Sequence, residues 1–136
     1  MPIYDPGGSG RCGWLCLDKA LGFDSEKYLS VYLLQIDPAV LQQVVRDLYK
    51  HDATMRHWMV RNRPNRLPAL LRSKPAKLEF NSAWALALLH TPFFEENRIN
   101  ILFITDDGER MRYRLPRRNR WIILLGGEGH WRLQIN

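Results

Sequence analysis

The last third of the chain abandons helical spacing for short apolar runs cut by turn residues, and that change of period restricts the fold more than any other feature. Ile99-Asn100-Ile101-Leu102-Phe103-Ile104 predicts a strand, Asp106-Asp107-Gly108 its turn, and residues 110–115 a returning strand with alternating Met111, Tyr113 and Leu115. Residues 121–125 predict an apolar strand, residues 126–129 a turn, and residues 130–135 the final strand. Side chains alternate across a strand, so His130, Arg132 and Gln134 share one face while Trp131, Leu133 and Ile135 share the other. The apolar set belongs on the core, which turns His130 the opposite way.

Before that point the period is helical. Residues 1–11 read as a loop punctuated by Pro6, Gly7, Gly8 and Gly10, and residues 12–21 as the first helix. Asp37 is placed as an N-cap with Pro38 at the first helical position, and Val40, Leu41, Val44, Val45 and Leu48 then recur at helical spacing over residues 39–51. Residues 61–77, with Pro64, Pro68 and Pro75, are loop-like, with a short turn of helix over residues 67–72. Asn81 or Ser82 caps a helix over residues 83–89 that ends before Pro92. The expected fold class is α+β: N-terminal helices packed on a small, mostly antiparallel C-terminal sheet. No repeat, low-complexity tract or linker divides residues 1–136, so one domain is expected.

Composition narrows the function classes. An apolar fraction of 46% is enough for a core, and two cysteines four residues apart are too few for a structural zinc site and badly placed for a secreted disulfide scaffold. No apolar run approaches the ~20 residues of a membrane span, and residues 1–10 hold no signal-peptide core. The expectation is a soluble protein of a reducing compartment, with no metal, cofactor or membrane partner. The net charge of +6 is unevenly placed: Arg56, Arg61, Arg63, Arg66, Arg72, Lys74 and Lys77 form one cluster, and Arg110, Arg112, Arg114, Arg117, Arg118 and Arg120 a second. Such clusters favour RNA, DNA or acidic protein surfaces. No phosphate loop or nucleic-acid motif accompanies them, and a solvated basic surface is the simpler account.

The chemistry sits at the two ends. Small residues in Gly7-Gly8-Ser9-Gly10 deliver Cys12 to the start of an apolar helix, and His130 opens the last strand. A helix N-terminus and a nearby imidazole both stabilise a thiolate, and a thiol protease draws its nucleophile and base from separate places in the sequence in this way. Backbone N–H groups of the loop and helix start, over Ser9, Gly10, Arg11 and Cys12, are candidate donors to an oxyanion. Cys16, one turn on, reads as a small core residue.

The string Tyr4-Asp5-Pro6-Gly7-Gly8-Ser9-Gly10-Arg11-Cys12-Gly13-Trp14-Leu15-Cys16-Leu17 resembles the nucleophile region of the ovarian-tumour-type (OTU) cysteine proteases, most closely the papain-like protease 2 group of arteriviruses. Glu128-Gly129-His130-Trp131-Arg132-Leu133 is similar to the histidine segment of that group, and residues 100–104 and 121–125 to the strands before it. Residues 24–78 carry no resemblance. What the resemblance implies is a compact OTU-like, papain-like domain with Cys12 as nucleophile and His130 as general base and acid. The family often places the orienting group two residues after the histidine, where this chain has Arg132, which accepts no hydrogen bond. The viral group uses an asparagine seven residues before the cysteine, and here that position is Asp5. Asp5 is therefore either the third member of a triad or an Asx-turn before Pro6. Ser9 stands where the family has an aspartate, and the zinc finger of the arterivirus enzymes has no counterpart in a chain with only Cys12 and Cys16.

The implied reaction is cleavage after the Gly-Gly tail of ubiquitin or a ubiquitin-like modifier by a viral or bacterial protein in the host cell cytoplasm. Trp14, Trp131 and Gly129 are candidates for walls of a narrow substrate channel, against the plainer reading of both tryptophans as core aromatics. Asp106, Asp107 and Glu109 either face arginines of the modifier's tail or form a solvated hairpin turn. Two alternatives stay open: a protease that processes its own precursor or a viral polyprotein, and a catalytically silent module that binds RNA or protein through its arginines.

Overall fold

The structure is a computed structural model that describes residues 2–7, 11–51, 82–127 and 130–135; at Val45, residues 47–51, Ser82, Ala83 and Gly127 the backbone alone is described. The described residues form five helices and one five-stranded sheet, a mixed α and β architecture. In chain order they are β1 (Ile3–Tyr4), α1 (Cys12–Leu21), α2 (Ser25–Gln35), α3 (Pro38–His51), α4 (Ser82–Leu89), α5 (Pro92–Glu96), β2 (Ile99–Thr105), β3 (Arg110–Arg112), β4 (Arg120–Gly127) and β5 (His130–Gln134). The basic cluster of residues 56–77, the helical turn expected over residues 67–72 and the candidate cap Asn81 lie outside the described residues.

Helix α1 begins at Cys12 and ends at Gly22, whose φ of 82° suits a residue without Cβ and whose N–H closes on the Asp18 carbonyl at 2.8 Å. Helix α2 was not expected. Asp24 caps it by accepting from the Lys27 N–H at 3.0 Å, and it buries Ser25, Glu26, Leu29 and Leu33 along one stripe while leaving Val31 and Leu34 exposed. In α3 Asp37 accepts the Ala39 N–H at 2.8 Å ahead of Pro38, as its cap position predicts. Val44 is buried and Leu41 packs on the core, but Val40, expected in the same stripe, is exposed in the first turn of the helix. Every described side chain of α4 from Trp84 to Leu89 is buried, as a helix apolar on all sides requires. Helix α5 starts at Pro92 and inserts Phe94 into the core, and Phe93 stacks edge-on with Phe23 and Tyr28.

The sheet order is β1-β5-β4-β2-β3. Three pairings are antiparallel, including the expected hairpin of β2 with β3, but the central one, β2 with β4, is parallel from Ile99↔Arg120 to Thr105↔Gly126, which the strand patterns did not predict. The cause lies in the segment before β4. The return strand stops at Arg112 rather than residue 115 because Tyr113 turns into the core and gives its carbonyl to Asn100 Nδ2 at 3.1 Å. Pro116, without an N–H, and Arg117, at φ 61°, then carry the chain back to the level where β2 begins. The N–H groups of Asn119 and Arg120 both close on the Arg98 carbonyl, at 3.0 and 2.9 Å, so β4 leaves beside β2 in the same direction.

Helix α1 lies against β5, with Trp14, Cys16 and Leu17 in a core shared with Leu29, Leu86, Phe103, Leu124 and Leu133. The expected turn of residues 126–129 starts later than predicted, because Gly126 and Gly127 remain in β4 opposite Trp131 and His130. A methyl group at Gly126 falls onto the His130 carbonyl oxygen and comes within 2.9 Å of Trp131 Cε3. Gly126→Ala should therefore cost about 1–3 kcal/mol of stability by forcing β5 away from β4. Urea unfolding measures this, and a midpoint equal to wild type would contradict the close approach.

Candidate active site

Strand β1 is two residues long, and its pairing with β5 positions the acid of the site: Ile3 opposes Gln134 and Tyr4 opposes Leu133. One further step sets Asp5 beside Arg132 on the outer face, diagonal to His130. Pro6 and Gly7, at φ 89°, then turn the chain out of the sheet before Trp131 is reached. Trp131 has Gly126 of β4 opposite it, and its own N–H and carbonyl point the other way, toward α1. There the two cysteines take the place of a strand. The Trp131 N–H donates to Cys12 Sγ at 3.2 Å, and the Cys16 thiol donates to the Trp131 carbonyl at 3.5 Å.

Cys12 is the first residue of α1, so its sulfur sits at the N-terminal end of the helix and beside a backbone donor. The side chain is 2% exposed, so a reagent must be slim to reach it. Cys16 is fully buried, and burial, assisted by the neighbouring Cys12 and Asp5 charges, pushes its thiol up to about 12. Neither cysteine is in a disulfide. The two sulfurs thus have different roles at the strand edge: Cys16 is a protonated donor to the Trp131 carbonyl, and Cys12 accepts from the Trp131 N–H.

His130 Nε2 lies 3.0 Å from Asp5 Oδ1. The Asp5 carboxyl is held below the ordinary range, first by the Gly7 N–H at 2.9 Å and then by His130 and Arg132. An ionised carboxylate only accepts, so Nε2 carries the proton and Nδ1 is the basic nitrogen of the neutral ring. Nδ1 is buried and takes no hydrogen bond among the described residues. The two readings of Asp5 are therefore compatible: one oxygen makes the Asx-turn with Gly7 and also orients the histidine. Arg132 is turned to Asp106 at 3.3 Å and accepts nothing.

Other expected site residues fare differently. Trp14 is fully buried in the core, which corrects its placement as a channel wall; a large aromatic on the inner face of α1 has nowhere else to go. Trp131 packs edge-on against Phe103 at 5.1 Å, half-buried, and contributes its backbone rather than its ring to the site. Arg11 precedes Cys12 and ion-pairs with Glu26 at 2.9 Å. Ser9, Gly10 and Gly129 lie outside the described residues. Asp107 bonds the Thr105 hydroxyl and the Glu109 N–H, as a self-contained hairpin turn does. The backbone role of Trp131 was missed, because strand-edge hydrogen bonding leaves no mark on residue type.

Among the described residues no group of three or more His, Cys, Asp or Glu side chains has a metal-binding arrangement, and no helix is long and apolar enough to cross a membrane. In the second basic cluster, Arg118 donates to the Ile99 carbonyl at 2.9 Å and Arg112 lies over the Trp121 ring. Compared with protein-family models, curated proteins and solved structures, the chain finds no match.

A carboxyl depressed in the folded state stabilises the fold above the ordinary carboxylate range and loses that contribution as pH falls through its lowered value. Wild type should therefore melt higher than Asp5→Asn between pH 5 and 7, with the gap closing below about pH 4. Thermal melts followed by circular dichroism read this, and a gap unchanged at pH 2 would exclude an ionised Asp5 from the contact.

Proposed function

We propose that the protein is an OTU-like cysteine protease that hydrolyses the bond after the C-terminal Gly-Gly of ubiquitin or a ubiquitin-like modifier, acting in a host cell cytoplasm on behalf of a viral or bacterial pathogen. The observation that carries the reading is the ordered pair at the sheet edge: Asp5 on His130 Nε2 at 3.0 Å, and the next residue's N–H on Cys12 Sγ at 3.2 Å. A neutral imidazole so oriented leaves Nδ1 as its basic, buried nitrogen, and the next residue's N–H meets a thiol at a helix N-terminus. That is the division of labour a covalent acyl transfer requires.

In this mechanism His130 Nδ1 holds the proton that the Cys12 thiol gives up, and the Trp131 N–H and the start of α1 stabilise the thiolate. Sulfur attacks the carbonyl carbon of the terminal glycine, and backbone N–H groups in the first turn of α1 are the donors for the developing oxyanion. The imidazolium returns its proton to the departing lysine amine. Water, activated by the same nitrogen, then releases the acyl group from sulfur and restores the thiol. Asp5 stabilises the imidazolium throughout. The near-complete burial of Cys12 supports a glycine-tailed substrate, because only a chain without side chains near the scissile bond approaches so enclosed a sulfur. Both cysteines as thiols are in keeping with a reducing cytoplasm.

Incubation with ubiquitin bearing a C-terminal electrophile tests the proposal by intact mass. A covalent adduct should form with wild type and Cys16→Ala and be absent with Cys12→Ala. Cleavage of a precursor peptide without any adduct would move the reading to a processing protease. RNA binding that falls steeply with salt, with neither reaction, would leave a non-catalytic basic module. In the same assay Asp5→Ala should slow adduct formation by on the order of ten- to a hundredfold without abolishing it, because an exposed carboxylate contributes less than a buried one. An unchanged rate would remove Asp5 from the machinery.

A further inference from the structure

Two backbone positions in this fold carry arginine where a smaller residue is the usual choice. Arg98, the residue after the α5 C-cap Asn97, has φ 56°, and Arg117, in the crossover before β4, has φ 61°. That left-handed region crowds a Cβ, so helix ends and turns that use it favour glycine or asparagine. Arg98 and Arg117 are the only non-glycine residues with positive φ among the described residues, and both line one cavity. A large side chain kept at a strained position against local preference points to a use for that side chain.

The cavity, of about 490 Å³, lies between the turn that ends α5 and the crossover into β4, and is lined by Glu95, Arg98, Pro116, Arg117 and Arg118. Three cations share it with one carboxylate. The two turns are fixed to each other before any ligand arrives, because the Arg98 carbonyl accepts from the N–H groups of both Asn119 and Arg120, at 3.0 and 2.9 Å. Fixed turns lower the entropy lost on binding. Arg118 is held as well: its Nη1 donates to the Ile99 carbonyl at 2.9 Å, while burial works against its charge and Glu95 favours it. A guanidinium partly withdrawn from water gains more from an anion than an exposed one does.

We propose that this cavity binds the phosphate group of a small phosphate monoester, with Arg98, Arg117 and Arg118 as its cations. The planar donor set of arginine engages phosphate oxygens in pairs. A phosphate dianion also matches the excess charge, since three guanidiniums and one carboxylate leave two positive charges. The space is more than inorganic phosphate fills and lies in the range of small-molecule sites, so a monoester is the expected ligand. Strand β4 separates this cavity from the candidate active site: Arg120 begins the strand, and Gly127, opposite His130, ends it. At about 3.3 Å per residue its 8 residues span roughly 23 Å, so the phosphate site stands apart from the thiol chemistry.

The test is an NMR titration of the isotope-labelled full-length protein with inorganic phosphate and with ribose 5-phosphate, at an ionic strength held constant with sodium chloride. Both should give saturable shifts centred on the amides of residues 95–98 and 117–120, with ribose 5-phosphate the tighter ligand. In Arg98→Gly/Arg117→Gly the affinity should fall about tenfold or more, because two charged donors are lost, while the melting temperature in chloride stays level or rises as strain is released. Arg98→Asn/Arg117→Asn, with the other residue that tolerates this backbone, serves as the second variant and should weaken binding alike. Arg110→Gln/Arg112→Gln, which removes the same charge from β3, should stay within about twofold of wild type. Shifts that spread over the surface without saturating would overturn the site and leave an adventitious ion only. Wild-type affinity in the glycine and asparagine variants, or equal weakening in the β3 variant, would overturn it as well. Inorganic phosphate binding as tightly as ribose 5-phosphate would overturn the monoester.

Discussion

The structure turns on how one strand edge is satisfied. A two-residue β1 leaves the N–H and carbonyl of Trp131 without a backbone partner, and buried peptide groups left unpaired cost about 1–3 kcal/mol each. Cys12 and Cys16, one helical turn apart, meet those two groups. Sulfur hydrogen bonds are too weak to hold a helix on a sheet; the buried Trp14 and Leu17 do that, at roughly 1.5–3 kcal/mol for each large apolar side chain. What the sulfurs determine is alignment. Because Trp131 follows His130 directly, the same contacts that complete the sheet edge set the candidate nucleophile against the residue next to the candidate base.

Much of this was legible from residue pattern, and the exceptions share a cause. The limits of α1, the cap at Asp37, the outward turn of His130 and the interest of Asp5 all follow from local chemistry: glycine at a helix end, carboxylate before proline, alternation in a strand. Helix α2 escaped because its buried stripe holds two charged or polar residues and only Leu29 and Leu33, while Val31 and Leu34 face outward and blur the period. The parallel pairing of β2 with β4 escaped because it depends on a crossover through Pro116 and Arg117, and no pattern within either strand records which way its neighbour runs. The deletion of Trp14 from the channel is a matter of which side of α1 meets the core.

Several of the described arginines make specific contacts as well as carrying charge. Arg118 is drawn inward to the Ile99 carbonyl, and its burial lowers its pKa; Arg112 lies on Trp121; Arg132 pairs with Asp106 and Arg11 with Glu26. Guanidinium groups in these positions tie strand starts, edges and helix ends together, which a planar multi-donor cation does better than an ammonium. A nucleic-acid surface needs its cations directed at solvent on a common face. Of the second cluster only Arg118 is drawn inward; Arg110, Arg112, Arg114, Arg117 and Arg120 are exposed, as a solvated basic surface requires.

The arrangement also explains why an acid in the N-terminal loop can serve a histidine at the far end of the chain. Side chains of paired strands alternate in step, so the register Tyr4↔Leu133 places Asp5 on the same face as His130 and Arg132, whereas a slip of one residue would put it on the core face. That register is held by the core contact of Tyr4, by the Ile135 N–H on the Pro2 carbonyl at 3.0 Å, and by the turn that Asp5 itself makes with Gly7. Asp5 therefore contributes to its own placement: the Asx-turn that ends β1 presents the carboxylate to Nε2, and the ionised state that the turn favours makes Nε2 the protonated nitrogen. Nδ1 is left as the unprotonated nitrogen because of a hydrogen bond made five residues into the chain. The orientation of the imidazole is thus a consequence of strand pairing, and any substitution that shifts β1 along β5 acts on His130 without touching it.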